Sequence, residues 1–365
     1  MTIARDHSPL VFTHRALPQR VRFGTGHAAR NVASEISDAG ALRVMLIASE
    51  AKLAMARTVT GSVEPALIWT DVVQHVPAAV AEAARVEAVR AGVDLIVSVG
   101  GGSTTGLAKA IALTTGIPIV AVPTTYAGSE ATNVWGLTEG ARKTTGVDDR
   151  VLPGAVVYDA ELTLSLPVEL SVTSGLNGVA HCVDSLWAPR ADPINAALAA
   201  EGIRALATGL RGVVADPGGL AGREQAQFGA YLAAVAFASA GSGLHHKICH
   251  VLGGTYDLPH AQTHAIVLPY VTAFNVGAAP AAERAIARAL DASDAVEGLD
   301  ALRDDVGAPS ALRDLGFDPD RIREAAEIIL PQVPASNPRP VDLDSLQLLL
   351  GAAADGRSSE TLRGR

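Results

Sequence analysis

Short apolar runs alternate with helical periodicities along the first 160 residues of the chain. Residues 21–23 predict a short strand, and the apolar run at 44–48 is bounded by turn residues, a pattern typical of a parallel strand buried on both faces, with further strands predicted at 95–99 and 117–122. Between them, residues 27–39, 78–91 and 103–113 have the spacing of amphipathic or buried helices. Strands that alternate with helices of about twelve residues predict βαβ units and an open α/β sheet.

The pattern changes twice further along the chain. Residues 134–159 are interpreted as a hairpin region, with Trp135, Val156 and Val157 in its strands and a charged turn at residues 139–143. After Leu166-Pro167, strand signals give way to long alanine-rich helical periodicities that continue to the C-terminus. We therefore predict an α/β domain over residues 1–162 and an all-α domain over residues 163–365.

Composition narrows the class of protein further. The formal net charge of −9 argues against a nucleic-acid partner or an anionic membrane. Cys182 and Cys249 are the two cysteines, so no disulfide framework is expected and a reducing compartment suits the chain. The sequence begins without a signal-like apolar segment and contains no apolar run of 18 residues, which predicts a soluble cytoplasmic protein without a membrane partner.

Residues 241–270 hold half of the chain's ten histidines, namely His245, His246, His250, His260 and His264. On a helix, residues four positions apart project from one face, so His246 and His250 are expected on the same face. Gly253 and Gly254 are expected to break that helix, and Pro259 is well placed to open the next one. A single buried histidine is more often a hydrogen-bonded core residue, but five in twenty residues favour a site that uses imidazole chemistry.

The sequence Val99-Gly-Gly-Gly-Ser-Thr-Thr105 follows a predicted strand and precedes a predicted helix. Glycines let the backbone approach a phosphate, and the free N–H groups of a helix N-terminus can hold it. A flexible turn is the alternative, because the motif is not the dinucleotide pattern GxGxxG. The residues predicted to bind the cofactor phosphates here are Gly100, Gly101, Gly102 and Ser103.

Two further segments complete the predicted dinucleotide site. Thr124, Thr125 and Ser129 follow the next strand, and ligands in such sheets bind at the carboxyl ends of the strands. Glu50 follows the 44–48 strand, where a carboxylate could bond a ribose hydroxyl, although a solvated carboxylate is an equal alternative. The expected cofactor is NADH or NADPH, and Glu50 favours NADH because it would repel a 2′-phosphate.

The segments PTTYAGSE (123–130), SGLNGVAHCVDSLWAP (174–189) and GLHHKICHVLGG (243–254) together resemble the iron-containing alcohol dehydrogenase superfamily, and within it the maleylacetate reductase branch. The resemblance covers nearly the whole chain. It implies an N-terminal Rossmann-like nicotinamide-binding domain, an all-helical C-terminal domain, an active site between them and a homodimer. The implied reaction is reduction of maleylacetate, a small dicarboxylate, to 3-oxoadipate.

The same resemblance carries the family's metal ligands onto Asn177, His181, His246 and His260, and a further family histidine onto His250. Asn177 departs from the family, which has an aspartate there, and Gly106 replaces the aspartate of the family's GGGSxxD pattern. A neutral amide is a poorer ligand for a divalent cation than a carboxylate. We therefore expect no tightly bound metal, with His181, His246 and His260 as the residual set that could hold zinc.

Hydride addition to the alkene of the enone creates an enolate, which needs hydrogen-bond donors or a proton. The residues predicted to surround it are Asn177, His181, His246, His250 and His260. The residues predicted to contact the substrate are Tyr126, His245, Lys247 and Tyr256. Arg142 and Lys143 are further candidates for its carboxylates, with a solvated loop as the favoured interpretation of both.

Two other functions stay open on the sequence. One is a metal-dependent alcohol or glycerol dehydrogenase on the same scaffold, against which Asn177 counts. The other is a non-catalytic protein that binds a dinucleotide or a dicarboxylate. If histidines replace the metal, at least one must be protonated or able to donate, so we expect activity to fall as pH rises.

Overall fold

The structure is a computed structural model that describes residues 10–140 and 142–363. Its strands are β1 (Arg20–Phe23), β2 (Val44–Ile47), β3 (Leu67–Trp69), β4 (Leu95–Gly100), β5 (Ile119–Pro123), β6 (Val134–Glu139), β7 (Arg142–Val147) and β8 (Ala155–Tyr158). Six of them form one parallel sheet in the order β1-β8-β5-β4-β2-β3. The other two, β6 and β7, pair as an antiparallel hairpin.

Four helices cover the parallel sheet, namely α1 (Ala28–Asp38), α2 (Leu53–Thr60), α3 (Ala78–Arg90) and α4 (Gly102–Thr115). Successive side chains of a strand point to opposite faces of the sheet, and helices pack on both of these faces. In β2, Val44 and Leu46 pack with α1 and α2, whereas Met45 and Ile47 pack with α3 and α4. This three-layer arrangement explains why the inner strands β2, β4, β5 and β8 are nearly continuous apolar runs rather than alternating ones.

Two parts of the predicted α/β half differ in the structure. The helix α2 and the strand β3 were not predicted, because β3 has three half-buried residues and follows a polar segment. Val156 and Val157 were wrongly assigned to the hairpin, since they lie in β8, which is inserted between β1 and β5. A fully buried run of four apolar residues suits the centre of a parallel sheet better than an exposed hairpin.

The second half of the described chain is helical. Its helices are α5 (Val168–Ser185), α6 (Pro193–Ala215), α7 (Leu220–Ala240), α8 (Leu244–Tyr256), α9 (His260–Val276), α10 (Pro280–Ala289), α11 (Ala295–Asp305), α12 (Ile322–Ile329) and α13 (Leu343–Asp355). This α/β and helical architecture confirms the predicted fold class. The predicted boundary at residue 162 falls between the end of β8 and the start of α5. No helix among the described residues has the length and apolar character needed to cross a membrane.

Helices α5, α6 and α7 pack closely because glycines line their contacts. A Cβ atom on Gly209 of α6 would lie 2.4 Å from the backbone nitrogen of Ala226 in α7, and one on Gly175 of α5 would lie 2.5 Å from a methyl carbon of Leu210. Such approaches exclude any larger residue at these positions. The rigid contact holds α5 in place, and α5 carries Asn177 and His181.

The predicted helix break at Gly253 and Gly254 is wrong, because α8 continues through both residues to Tyr256. The helix ends instead at Asp257, whose φ of 55° places it in the left-handed region. Pro259 is the N-cap of α9, as its position in the sequence predicted. Glycine lowers helix propensity by about 1 kcal/mol, which is less than the packing of α8 against its neighbours can supply.

Candidate active site

The first part of the site lies at the carboxyl ends of β2 and β4. The chain leaves β2 outward to β3 and then returns to β4 on the other side of β2, so the order of strands reverses between β2 and β4. Open α/β sheets bind ligands in the crevice at such a switch point. Exposed Glu50 follows β2, and the Gly100–Ser103 segment follows β4 and begins α4. The geometry therefore brings the predicted ribose contact and the predicted phosphate loop to one crevice.

The threonines after β5 lie directly against the glycine loop. The backbone nitrogen of Thr124 donates to the carbonyl of Gly100 over 3.0 Å. A Cβ atom on Gly101 would lie 2.9 Å from Cγ2 of Thr125, whereas one on Gly102 would meet Ala127 at 3.7 Å. Gly101 thus makes room for the neighbouring loop, and Gly102 is the more open of the two.

A buried lysine that was not predicted as functional fixes the rest of that loop. Lys109 of α4 is fully buried, and its Nζ donates to the carbonyls of Ser129, Thr132 and Val134 and to Oγ1 of Thr132 over 2.6–3.0 Å. Burial lowers the pKa of Lys109 to about 7, and the charge of Glu130 acts in the opposite direction. Ser129, a predicted cofactor contact, therefore accepts a hydrogen bond from Lys109 of α4 through its backbone carbonyl. A lone lysine within the apolar run of α4 was the available signal.

The second part of the site is a cluster of six imidazole rings from α5, α8 and α9, defined here as the histidine cluster, whose members are His181, His245, His246, His250, His260 and His264. The ring of His246 is stacked on that of His181 with 4.9 Å between centroids, and it lies 4.8 Å from His264 and 6.1 Å from His250. The rings of His260 and His264 are 4.4 Å apart. The consecutive helices α8 and α9 therefore present their histidines to one space, next to His181 of α5.

The histidine cluster runs from the surface into the core. His250 and His260 are exposed, whereas His181 and His246 are 9% and 2% exposed, and His245 and His264 are completely buried. Nε2 of His245 and Nδ1 of His264 are hydrogen-bonded over 2.9 Å. Ligands thus have access to the outer rings, and the inner rings support them.

Burial keeps four rings of the cluster neutral near pH 7. It lowers the pKa of His181 to about 4 and that of His245 to about 3. It also places the pKa values of His246 and His264 well below the usual 6.5, and the neighbouring imidazoles act in the same direction. A resting protonated imidazole was one predicted route to donation, and it is wrong for these four rings.

Asp184 of α5 is a site residue that the sequence reasoning missed. Its completely buried carboxylate accepts from Nδ1 of His246 over 2.7 Å and from the backbone nitrogens of Gly243 and His246 over 2.9 and 3.2 Å. Nε1 of Trp187 donates to its other oxygen over 3.3 Å. The spacing His181-x-x-Asp184 on one helix was the available signal, since the carboxylate follows the ring by about one turn.

Asn177 and an aromatic ring close the inner wall of the site. Asn177 is 3% exposed, and its Oδ1 has no hydrogen-bond partner among the described residues. Phe237 of α7 lies against His181 and His246, with 4.6 and 4.4 Å between ring centroids. Asn177 lies one helical turn before His181 on α5, so its unpaired amide oxygen offers a polar position to a ligand group on that part of the helix.

The structure does not bring every predicted substrate contact to the cluster. Tyr126 is completely buried in the core of the helical half, where burial raises its pKa, so it is removed from the substrate set. Tyr256 packs against Phe317 and under the guanidinium of Arg321. Tyr256 is nevertheless partly exposed, and its hydroxyl has no hydrogen-bond partner among the described residues, so its contact with the substrate stays a prediction.

The other predicted substrate contacts divide differently. His245 is engaged with His264 and has no exposed surface, so its predicted contact with the substrate is wrong. Lys247 is partly exposed, and its charge is one cause of the low pKa of His246, so it stays a candidate for a substrate carboxylate. Arg142 and Lys143 begin β7, but their side chains lie outside the part that the structure describes.

The residues at the family's metal positions lack the carboxylate ligand of the family pattern, so they fit the family's metal less well than the full set would. Asn177 supplies a neutral oxygen, and the carboxylate of Asp184 is directed to Nδ1 of His246 rather than to a shared ligand position. Within the described chain, the histidine, cysteine and carboxylate ligand atoms that lie within 4.8 Å of one another belong to His245, Cys249 and His264. A dication held by neutral ligands alone lacks charge compensation.

Comparisons with known proteins identify the class of enzyme. The iron-containing alcohol dehydrogenase family model matches residues 18–160, and the C-terminal model of the Fe-containing alcohol dehydrogenase family matches residues 171–354. The chain belongs to the iron-containing alcohol dehydrogenase family and is an oxidoreductase, which confirms the resemblance drawn from the sequence motifs.

Individual relatives narrow the comparison further. Maleylacetate reductases from Burkholderia cepacia and Sphingobium indicum are 43% and 44% identical to the chain, and each comparison covers 94% of this chain and 98% of the relative. Among solved structures, an iron-containing alcohol dehydrogenase from Corynebacterium glutamicum is 60% identical, with a TM-score of 0.96 over 97% of this chain and 100% of that one. Maleylacetate reductase from Rhizobium sp. strain MTP-10005 is 40% identical, with a TM-score of 0.90 over 96% and 100%.

Proposed function

We propose that this oxidoreductase reduces maleylacetate to 3-oxoadipate with NADH or NADPH. The observation that carries the proposal is the histidine cluster, together with Asn177 one turn before His181 on α5, where an uncharged amide stands in the place of the family's anionic ligand. The similarity to maleylacetate reductases over nearly the whole chain supports the same substrate. The outcome is a site suited to a dianionic substrate, because it holds little negative charge of its own.

The reaction makes a specific chemical demand on the residues. Hydride from the nicotinamide adds to an alkene carbon of the enone, and negative charge develops on the ketone oxygen. Oriented N–H groups stabilise such an oxygen, typically by several kcal/mol in a site that excludes water. Asn177, His181, His250 and His260 are the proposed donors, because the amide N–H₂ and each imidazole carry at least one N–H.

The cofactor is proposed to bind across the crevice between β2 and β4. The N-terminus of α4 would hold the pyrophosphate through backbone N–H groups of residues 101–103, while Thr124 and Thr125 line the loop beside it. Glu50 would accept from a ribose hydroxyl and so favour NADH over NADPH. A homodimer, which the family resemblance implies, and a cytoplasmic location, which the sequence predicts, complete the proposal.

The enzyme is proposed to work without a tightly bound metal. Three imidazoles and one amide give a divalent cation no charge compensation, and the nearest buried carboxylate is committed to four N–H groups. The runner-up function, a metal-dependent alcohol or glycerol dehydrogenase, requires a stoichiometric cation at this set. Elemental composition and substrate therefore test the two functions together.

The testing experiment follows NADH oxidation by the purified enzyme with maleylacetate, before and after chelation, alongside elemental analysis. We expect turnover with less than one metal ion for every ten chains and no loss of activity after chelation. One stoichiometric iron or zinc, with activity abolished by chelation and restored by metal, would contradict the metal-free proposal. In that case His181→Ala and Cys249→Ala locate the ion. The first removes a ligand at a family position, and the second removes a ligand of the buried group His245, Cys249 and His264. Oxidation of NADH with aldehydes but not with maleylacetate would favour the alcohol dehydrogenase.

A further inference from the structure

We propose that Asp184 is a positioning residue that fixes the tautomer of His246, so that the ring presents an unprotonated Nε2 to the substrate space. The inference deepens the proposed function, and its predicted effect on kcat rests on that function. Asp184 itself touches no ligand, because it is completely buried. It acts through the orientation and proton position of one imidazole.

The argument begins with the oxygen that His246 contacts. Oδ2 of Asp184 accepts from the backbone nitrogens of Gly243 and His246, and both of these groups can only donate. The same oxygen lies 2.7 Å from Nδ1 of His246. An oxygen that already accepts two N–H bonds has no proton to give, so Nδ1 must be the donor in this third contact. The other carboxylate oxygen receives the indole N–H of Trp187.

A neutral imidazole carries one proton, so a protonated Nδ1 leaves Nε2 with a free lone pair. In the described chain, Nε2 of His246 is buried and has no hydrogen-bond partner, while the ring packs against both His181 and Phe237. Three contacts thus fix the plane of the ring, and one carboxylate fixes its proton. The result is a rigid acceptor at the centre of the histidine cluster.

An acceptor at this position has a definite task in the proposed reaction. The developing enolate oxygen needs a donor, and neutral His246 cannot donate from Nε2. It can instead accept from a neighbouring N–H or O–H group and so keep that group turned toward the substrate space. If a proton then reaches Nε2, the carboxylate of Asp184 is in place to stabilise the imidazolium, as carboxylates behind histidines do in other enzymes. His246 is therefore separated from the donors Asn177, His181, His250 and His260.

The direct test is nitrogen NMR of the full-length enzyme labelled with ¹⁵N-histidine, in which the His246 signals are assigned by their loss in His246→Gln. We expect a protonated Nδ1 and an unprotonated Nε2 at pH 7 in the wild-type enzyme. The opposite tautomer in the wild type overturns the proposal, and this result needs no variant to fold. The measurement is also made without substrate, so it stands whether or not maleylacetate is reduced.

Three variants separate positioning from a general structural role. Asp184→Ala should lose the fixed tautomer and lower kcat about 10- to 100-fold with KM nearly unchanged, the usual range for removing such a supporting group. Asp184→Asn keeps an acceptor oxygen for Nδ1 and should restore the tautomer and part of kcat. Trp187→Phe, the matched control, removes the indole bond to the other carboxylate oxygen and should alter neither tautomer nor kcat. An Asp184→Ala enzyme that keeps both its tautomer and its kcat would overturn the proposal.

The two hypotheses fail in different ways. If maleylacetate is not reduced but His246 has a protonated Nδ1, the proposed substrate is wrong and the role of Asp184 stands. If maleylacetate is reduced and His246 is protonated on Nε2, the proposed function stands and the role of Asp184 falls.

Discussion

Each part of the candidate site contains a completely buried charged residue, Lys109 in the α/β half and Asp184 in the helical half, and the two bind different kinds of group. In the α/β half, the cation Lys109 donates to oxygens of the segment from Ser129 to Val134. In the helical half, the anion Asp184 accepts from four N–H groups, one of which belongs to the ring of His246. Both are fully buried, and both have their hydrogen-bonding capacity filled.

The difference between the two regions follows from what each must hold. A dinucleotide phosphate is bound by backbone N–H groups, so the α/β half needs its loops in one shape, and Lys109 supplies that shape by collecting backbone carbonyls. In the proposed reaction an enolate is stabilised by side chains, so the helical half needs one ring with a defined proton, which is the role proposed for Asp184. Substitutions of Lys109 should therefore lower the free energy of unfolding and the order of the loop, whereas substitutions near Asp184 should lower kcat.

The largest expected effect is on turnover in the helical half. His246→Ala removes the ring at the centre of the cluster and should lower kcat by about 10²–10⁴-fold, the range for a lost acid–base or polar catalytic group. The affinity for NADH should be unchanged, because the glycine loop lies at the sheet. Steady-state kinetics and a fluorescence titration with NADH measure the two quantities. Thr255→Ala, an exposed change on the same helix, is the control, and loss of NADH affinity in His246→Ala would break the comparison.

Next in size is the stability of the α/β half. Lys109→Met removes four hydrogen bonds, to the carbonyls of Ser129, Thr132 and Val134 and to Oγ1 of Thr132, and losing one partner of a buried charged network costs about 3–5 kcal/mol. Urea unfolding measures this as a lower free energy of unfolding. Lys52→Met, a partly exposed lysine with one hydrogen bond to Ser165, should cost less than about 1 kcal/mol. Equal losses in the two variants would show that Lys109 is not a special clamp.

These two regions were predictable from the sequence to different degrees. The glycine loop, the parallel strands and the clustering of histidines each leave a local signal of spacing or composition. Asp184 leaves a weaker signal, because its partner His246 is 62 residues away and their pairing depends on how α5 packs against α8. Tyr126 was misassigned for the same reason, since neighbouring polar residues suggested a ligand contact while packing placed its ring in the core. Long-range packing, which local patterns do not encode, decides which polar residue faces a site.

The predicted break at Gly253 and Gly254 failed for a related physical reason. Glycine is a weak breaker, so packing against α9 and α12 overrides it, whereas proline lacks an N–H and ends helices in most contexts. Burial also changed the expected chemistry, because histidines that looked like acids in the sequence are neutral when enclosed. The residue types of the site were thus readable, but their proton positions required the fold.

The pH dependence of stability sharpens the comparison. His181 has a folded pKa of about 4 and an ordinary value of 6.5, so the unfolded chain binds more protons between these values and stability falls as pH falls through that window. The contribution is on the order of 3 kcal/mol for a shift of this size. We expect urea unfolding free energies to decrease from pH 6.5 to pH 4.5, and His181→Gln to flatten part of the decrease. An unchanged slope in that variant would contradict the lowered pKa.

Lys109 gives the same sign in a different pH window. Its folded pKa of about 7 lies below the ordinary 10.5, so the unfolded chain again binds more protons and stability should rise between pH 7 and pH 9. Lys109→Met should lose this rise, while Lys52→Met should keep it. His181→Gln would then isolate the loss of stability at acid pH, and Lys109→Met would isolate the gain of stability at alkaline pH.

A smaller effect is expected at the phosphate loop. Gly102→Asp should weaken NADH binding by about ten- to a hundredfold, because a carboxylate at the N-terminus of α4 repels the pyrophosphate. The free energy of unfolding should be nearly unchanged, since a Cβ atom there meets Ala127 at 3.7 Å. Gly101 was the position predicted from the sequence, but a Cβ atom there would clash with Thr125, so that variant would confuse loop packing with charge. Gly102→Ala is the matched control, and equal losses in the two Gly102 variants would sink the charge argument.

The smallest expected effect concerns the choice between NADH and NADPH. Glu50 is exposed at the switch point after β2, where its carboxylate can accept from a ribose 2′-hydroxyl and repel a 2′-phosphate. A hydrogen bond to a charged group contributes about 1.5–3 kcal/mol, and solvent at an exposed position reduces it, so Glu50→Ala should raise kcat/KM for NADPH relative to NADH by about tenfold. Glu50→Gln keeps an acceptor and removes the charge, so it should relieve the repulsion while retaining part of the NADH activity. The measurement is the ratio of kcat/KM values for the two cofactors in wild type and both variants at one ionic strength. A wild-type enzyme that uses NADPH at least as well as NADH, or a ratio that Glu50→Ala leaves unchanged, would show that cofactor choice is set by other residues around the crevice.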